Sequence, residues 1–153
     1  MSAAAKLAEL GIVLPEVATP AGSYVPATRH GDLVHTSGQV PFVNGAILHP
    51  GIVGAGVTVE QAAEAARAAT LNALAAAAQA AGGIDSIARV VRLVGYVASA
   101  PDFGQQPVVM NAGSNLLVEI FGEAGRHVRS AVGVASLPLR APVEVELVVA
   151  TRS

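Results

Sequence analysis

The stretch from Thr58 to Gly83 limits the fold of this chain more than any other part of its sequence. Thr58-Val59-Glu60-Gln61 reads as a capping box, in which the threonine hydroxyl accepts from an early amide and the glutamine side chain reaches back. The alanine-rich run that follows has high helix propensity, and Gly82-Gly83 is a normal C-terminal stop. Together these signals predict one ordered helix from Thr58 to about Ala81. Its short side chains allow close packing on a sheet, and Leu71 and Leu74 mark the expected buried stripe. The run Ala62 to Ala81 is too polar for a membrane span, because it carries Glu64, Arg67, Asn72 and Gln79.

The other elements are arranged around that helix. Ala3 to Leu10 reads as a short helix stopped by Gly11, and Pro15 to Pro26 as an extended segment broken by prolines. Leu33 to Val40 has strand character. Asn44-Gly45 is a hairpin turn signal, with Ala46 to Leu48 returning. His49 to Gly56 is a glycine-rich loop. Ile87 to Ala98 is a long valine-rich strand, and Pro101 to Gly104 is a turn. A second helix spans about Pro107 to Phe121, with Leu116, Leu117, Ile120 and Phe121 on its apolar side. Ser130 to Ser136 and Pro142 to Thr151 are the closing strands. The order strand, strand, helix, strand, helix, strand, strand predicts a single α+β domain over 1–153, a mixed sheet with two helices on one face.

Of the 153 residues, 52% are hydrophobic and only 13% charged, so a monomer of this size would cover its surface poorly. The simplest resolution is a homo-oligomer that hides apolar surface between subunits. The net charge is −2 and the nine Lys and Arg are scattered, which argues against a nucleic-acid partner. Cysteine is absent, and with it go disulfides, thiolate catalysis and cysteine zinc sites. The N-terminus has no apolar core of a secretory signal, so the expected location is the cytoplasm. His30, His35, His49 and His127 show no metal spacing, so no metal is expected.

The charges that remain are therefore informative. Arg129 heads one apolar strand, and extended geometry puts His127 on the same side of the chain. A guanidinium is the side chain best shaped to grip a carboxylate through two parallel hydrogen bonds. The alternative is a solvated arginine at a strand end. Glu144 and Glu146 alternate with Val143, Val145 and Leu147 and share the other face. That face is either solvated or buried against a neighbouring subunit, where desolvation would raise a carboxyl pKa and suit it to proton transfer. Gly38, in Ser37-Gly38-Gln39, allows close approach of a ligand or is a β-bulge. Tyr24 closes over a small ligand or packs as an aromatic.

Taken in order, Tyr24 in GSYVPA, Ser37-Gly38-Gln39 in HTSGQVP, the alanine-rich helix with Asn72, and the block Arg129-Ser-x-Val-x-Val-x-x-Leu-Pro138 followed by Val143-Glu144 resemble the Rid (YjgF-type) deaminase family, also labelled the L-PSP endoribonuclease family. The resemblance implies a chorismate-mutase-like α+β subunit, assembled as a homotrimer with clefts between subunits. It implies hydrolysis of reactive enamines and 2-imino acids, such as 2-aminoacrylate, to 2-keto acids and ammonium, without metal or organic cofactor. Arg129 matches the family arginine that binds the substrate carboxylate, and Glu144 the glutamate that positions water. Tyr24, Ser37 and Gly38 match cleft positions. Asn111 matches the cleft asparagine, with Asn115 as a competing choice. The chain departs from the usual pattern in its N-terminal residues 1–18, in a longer 101–111 segment, in His127-Val128 before the arginine and in Ala131. These departures resemble a divergent branch, and they place His127 beside the substrate. The alternative function is a non-catalytic binder or sensor of small carboxylates using the same cleft.

Overall fold

The computed structural model describes residues 1–153. Helix α1 (Ala3–Glu9) is capped by the Ser2 hydroxyl, which accepts from the Ala5 amide. The long helix α2 (Val59–Ala81) has the full reciprocal capping box of Thr58 and Gln61 and ends at Gly82 in the left-handed conformation. Helix α3 covers Gln106–Phe121. The main sheet contains β1 (Ala27–His30), β2 (Leu33–Thr36), β7 (Ile87–Ala98), β8 (Val128–Val134) and β9 (Val143–Thr151). Its spatial order is β1-β2-β9-β7-β8, antiparallel throughout except for the parallel pair β7–β8. Two small ladders complete the set: the hairpin β3 (Phe42–Val43) and β4 (Ala46–Ile47), and the pair β5 (Ile52–Val53) and β6 (Gly56–Val57). No helix is long and apolar enough to cross a membrane.

Both large helices lie on one face of this sheet. That side of β9 is Val143, Val145, Leu147, Val149 and Thr151, all buried, and Leu93 and Val97 of β7 join them in the core. Within α2 the buried side is mainly alanine, namely Ala62, Ala65, Ala66, Ala69, Ala73 and Ala77, with Leu74. Leu71 is only partly buried, which corrects the expected stripe. Short side chains on this face of the helix permit close packing against the sheet. Asn72 is also buried, and its amide donates to the carbonyls of Val40 and Phe42, tying the β3 segment to the helix.

The opposite face of the sheet is covered by no element of the chain. Arg92, Val94 and Tyr96 of β7 and Glu144, Glu146 and Val148 of β9 lie on it, all partly exposed. Val128 and Val132 extend the same face onto β8. This alternation, apolar toward the helices and mixed toward the outside, follows from the two-residue period of a strand.

Strand β8 runs Val128–Val134, two residues earlier than the expected Ser130–Ser136, and the loop expected over His49–Gly56 contains β5 and the start of β6. Two further differences lie at the start of the main sheet. Strand β1 is an additional element: Ala27–His30 pairs with β2 across the two-residue turn Gly31-Asp32. Gly31 has φ 61°, a backbone that glycine adopts without the steric cost a side chain would incur. The strand expected over Leu33–Val40 ends at Thr36, and pairing with β9 resumes only at Gln39, whose N–H and C=O both bond to Val145. In between, the Thr36 hydroxyl accepts from the Leu147 amide. Residues 36–38 therefore bulge out of the ladder, and this bulge is what presents Gly38.

Candidate functional site

Glu144 lies on the uncovered face of β9, beside Tyr96, and its side chain rests on Gly38. A Cβ at residue 38 would sit 2.6 Å from the Glu144 carboxyl carbon, so any side chain there would displace the carboxylate. Glu144, Gly38, Tyr24, Pro26 and Leu139 share a cavity of about 360 Å³. Leu139 has φ 61° and Arg140 φ 57°, left-handed conformations that cost a non-glycine residue free energy and that concentrate at functional loops. The Ser37 hydroxyl donates to the Val25 carbonyl at 2.6 Å, and its amide to Pro26 O at 2.8 Å. Ser37 thus anchors the segment bearing Tyr24 and lies outside that cavity. Tyr24 itself is half exposed.

Burial raises the Glu144 pKa above the usual carboxylate value of 4.5, and the like charge of Glu146 raises it further. Tyr96 donates to Glu146 at 3.3 Å, and its own pKa is raised by burial first and by the Glu146 charge second. A carboxyl held above its normal range retains a proton more readily than a solvated one, as a group that exchanges protons with substrate must. The sign of the effect can be tested. Glu146→Gln removes a like charge, so Glu144 should ionise at lower pH, and any pH profile that depends on its carboxylate should shift to the acid side. The same raised pKa makes the Glu144 contribution to folding stability greatest below pH 4.5 and progressively lost as pH rises through the folded value. Thermal melts of Glu144→Gln should therefore fall less steeply above that pH than those of the parent chain.

A second polar cluster is built on β8 and α3. The Arg129 guanidinium donates from one terminal nitrogen to Asn111 Oδ1 at 2.9 Å and to Ser114 Oγ at 3.2 Å. Ser114 Oγ is also 2.9 Å from His127 Nε2, and His127 Nδ1 is 2.6 Å from the Gly125 carbonyl. The expected placement of His127 and Arg129 on one side is seen in their common partner, Ser114. Asn111, not Asn115, joins the arginine. No carboxylate of the chain pairs with Arg129, whereas Lys6, Arg67 and Arg126 each have one.

Arg129 and Glu144 do not meet within one chain. Arg129 is in register with Leu93, whose side chain enters the helix face, while Glu144 is on the opposite face. Their strands are two positions apart, about 10 Å laterally, and the three-residue register offset adds about 10 Å along the sheet. Within one chain the two clusters are therefore separate, one an arginine with an edge that no group of the chain occupies and the other a carboxyl facing a cavity. A cleft of about 600 Å³ between the N-terminus and the end of α3 is chemically committed elsewhere. There Asp85 accepts from the Ala4 amide, Lys6 pairs with Glu9, and Arg152 donates to the Asp85 carbonyl. No group of three or more His, Asp or Glu side chains converges as a metal site would require.

A five-stranded mixed sheet of order β1-β2-β9-β7-β8, with helices on one face and a mixed polar and apolar face opposite, defines a chorismate-mutase-like α+β domain. The family described as "YjgF/chorismate mutase-like, putative endoribonuclease" matches residues 4–150, and the chain belongs to this YjgF/L-PSP family. Protein TCP17 of Trypanosoma cruzi is 44% identical over 147 residues, covering 95% of this chain and 92% of that protein. A crystal structure from Shewanella oneidensis MR-1, described in the same endoribonuclease terms, superposes with TM-score 0.94 at 37% identity, over 98% of this chain and 99% of that one. E. coli TdcF with bound serine matches with TM-score 0.63 at 25% identity, over 92% and 94%.

Proposed function

We propose that the protein is an enamine/imine deaminase that hydrolyses 2-imino acids to 2-keto acids and ammonium, in clefts formed between the subunits of a homotrimer. The observation that carries this reading is the division of the site. Arg129 with Asn111 and Ser114 offers an anion-binding edge, Glu144 with Gly38 and Tyr24 offers a proton-handling carboxyl, and only a second copy can bring the two together. The uncovered sheet face, with its exposed Val128 and Val132, supports an assembly that buries it. A closed ring repeats one heterologous contact, so every junction would hold one cleft. The relative TdcF, solved with bound serine, is a precedent in the family for a ligand carrying an α-carboxylate.

The chemistry follows from the residues. The substrate carboxylate lies against Arg129, and its C=N carbon is then presented to water held by Glu144. Glu144 takes one proton from water as the oxygen bonds to that carbon and hands it to the imine nitrogen, giving a neutral carbinolamine. The carboxylate then takes the hydroxyl proton and delivers it to the amino nitrogen as the C=O forms and the C–N bond breaks, so ammonia leaves. Water and imino acid are the only reactants, and keto acid and ammonia the only products. Orientation and electrostatics supply the acceleration, because the imine is already electrophilic. The family's endoribonuclease label points to another reaction, but a net charge of −2 and scattered cations give RNA no electropositive groove.

The test is direct. With 2-iminopropanoate generated in situ, the purified protein should accelerate release of ammonium and pyruvate, and Glu144→Gln should remove that acceleration. Absence of acceleration with every 2-imino acid tried would end the enzymatic reading. Stabilisation by 2-keto acids without turnover would instead identify a carboxylate-binding protein.

A further inference from the structure

Arg129 has five N–H donors in a fixed planar fork. Asn111 Oδ1 and Ser114 Oγ both take hydrogens from the same terminal nitrogen. The edge formed by Nε–H and the other terminal nitrogen has no partner in the chain, and this is the edge that offers two parallel hydrogen bonds to a carboxylate. What fixes the guanidinium in that orientation is visible one step further back. The Gly125 carbonyl can only accept, so the 2.6 Å contact requires a hydrogen on His127 Nδ1. In the neutral ring Nε2 is then an acceptor, and the Ser114 hydroxyl at 2.9 Å donates to it. That leaves a hydroxyl lone pair for the hydrogen arriving from Arg129. The hydrogen bonds therefore run in one direction, from arginine to serine to histidine to the buried backbone of Gly125.

We propose that Ser114 and His127 are positioning residues that lock one terminal nitrogen of Arg129 and so aim its free edge at the ligand carboxylate. The inference rests on the carboxylate-binding reading of Arg129. Neither residue need touch the substrate. Because a serine hydroxyl rotates freely, Ser114 alone would not select the orientation, and the imidazole supplies that selection. A positioning role acts on binding in ground and transition states alike, so it should alter KM and leave kcat nearly constant.

Three measurements distinguish the outcomes. Ser114→Ala and His127→Phe should each raise KM for the imino acid, and Kd for pyruvate, roughly five- to tenfold, with kcat changed less than about twofold. Ser114→Thr keeps the hydroxyl, and His127→Gln places an acceptor near the former Nε2. Both should return KM most of the way to the parent value. Independently of any ligand, imidazole ¹⁵N shifts at neutral pH should show the Nδ1–H tautomer of His127, and Ser114→Ala should move the Nε2 resonance. An Nε2–H tautomer overturns the proposal, as does parent-like KM and Kd in Ser114→Ala and His127→Phe while Arg129→Ala has lost binding. If the parent chain binds no carboxylate and turns over no imine, the proposed function itself has failed, and the ¹⁵N result still reports on the hydrogen-bond chain.

Discussion

Arg129→Ala is expected to lower kcat/KM for a 2-imino acid by about 10²–10⁴-fold while leaving the fold in place. The estimate follows from two charge-assisted hydrogen bonds of about 1.5–3 kcal/mol each, and each 1.4 kcal/mol corresponds to about tenfold in rate or affinity. Stability should change little, by about 1 kcal/mol or less, because the side chain is only partly buried and its two partners can turn to water. Parallel thermal melts and ammonium-release kinetics would separate the two effects. A variant that lost activity only in proportion to lost folded protein would show Arg129 to be structural. Full retention of turnover would remove it from the site.

The helices and the long strand were legible because their signals are local. The Thr58–Gln61 box and Gly82-Gly83 fix the ends of α2 by hydrogen bonds within a few residues, and the valine-rich Ile87–Ala98 run gives β7 its observed bounds. Asn44-Gly45, with φ of 53° and 80°, supports the expected hairpin. Strand β1 was not legible. Thr28, Arg29 and His30 are exposed on an edge strand, so Ala27–His30 has no apolar alternation to read, and only pairing with β2 makes it a strand. Of the two leucines expected in the buried stripe of α2, Leu74 is buried and Leu71 only partly so; hydropathy marks the leucines, whereas most of the buried side is alanine.

The candidate site was legible in part for the same reason. The alternation in Val143-Glu144-Val145-Glu146 places both glutamates on one face, and the two-residue spacing places His127 with Arg129. Ser114 left no such trace. It lies 13 residues before His127 and 15 before Arg129, on a helix whose pattern is set by Leu116, Leu117 and Ile120. Only the packing of α3 beside β8 brings it to them. The opposite-face placement of Arg129 and Glu144 likewise comes from the parallel register of β7 with β8, which no local motif encodes.

That division gives the second large effect, in mixed assemblies. Arg129→Ala and Glu144→Gln subunits should each form inactive homotrimers, since every cleft lacks one of the two groups. When the two variants are co-expressed and assort at random, a cleft is intact whenever an Arg129-bearing subunit precedes a Glu144-bearing one. This occurs at about one quarter of the junctions of a closed ring. Ammonium release per subunit should then recover to about 25% of the parent level, from a background at least about a hundredfold lower. The recovery should depend on the mixing ratio and be greatest near equal proportions. Measuring imine hydrolysis by co-assembled Arg129→Ala and Glu144→Gln chains, with trimer composition checked by native mass spectrometry, tests the central claim directly. About a quarter of parent activity is the predicted result. Mixed trimers as inactive as either parent variant would contradict a site shared between subunits.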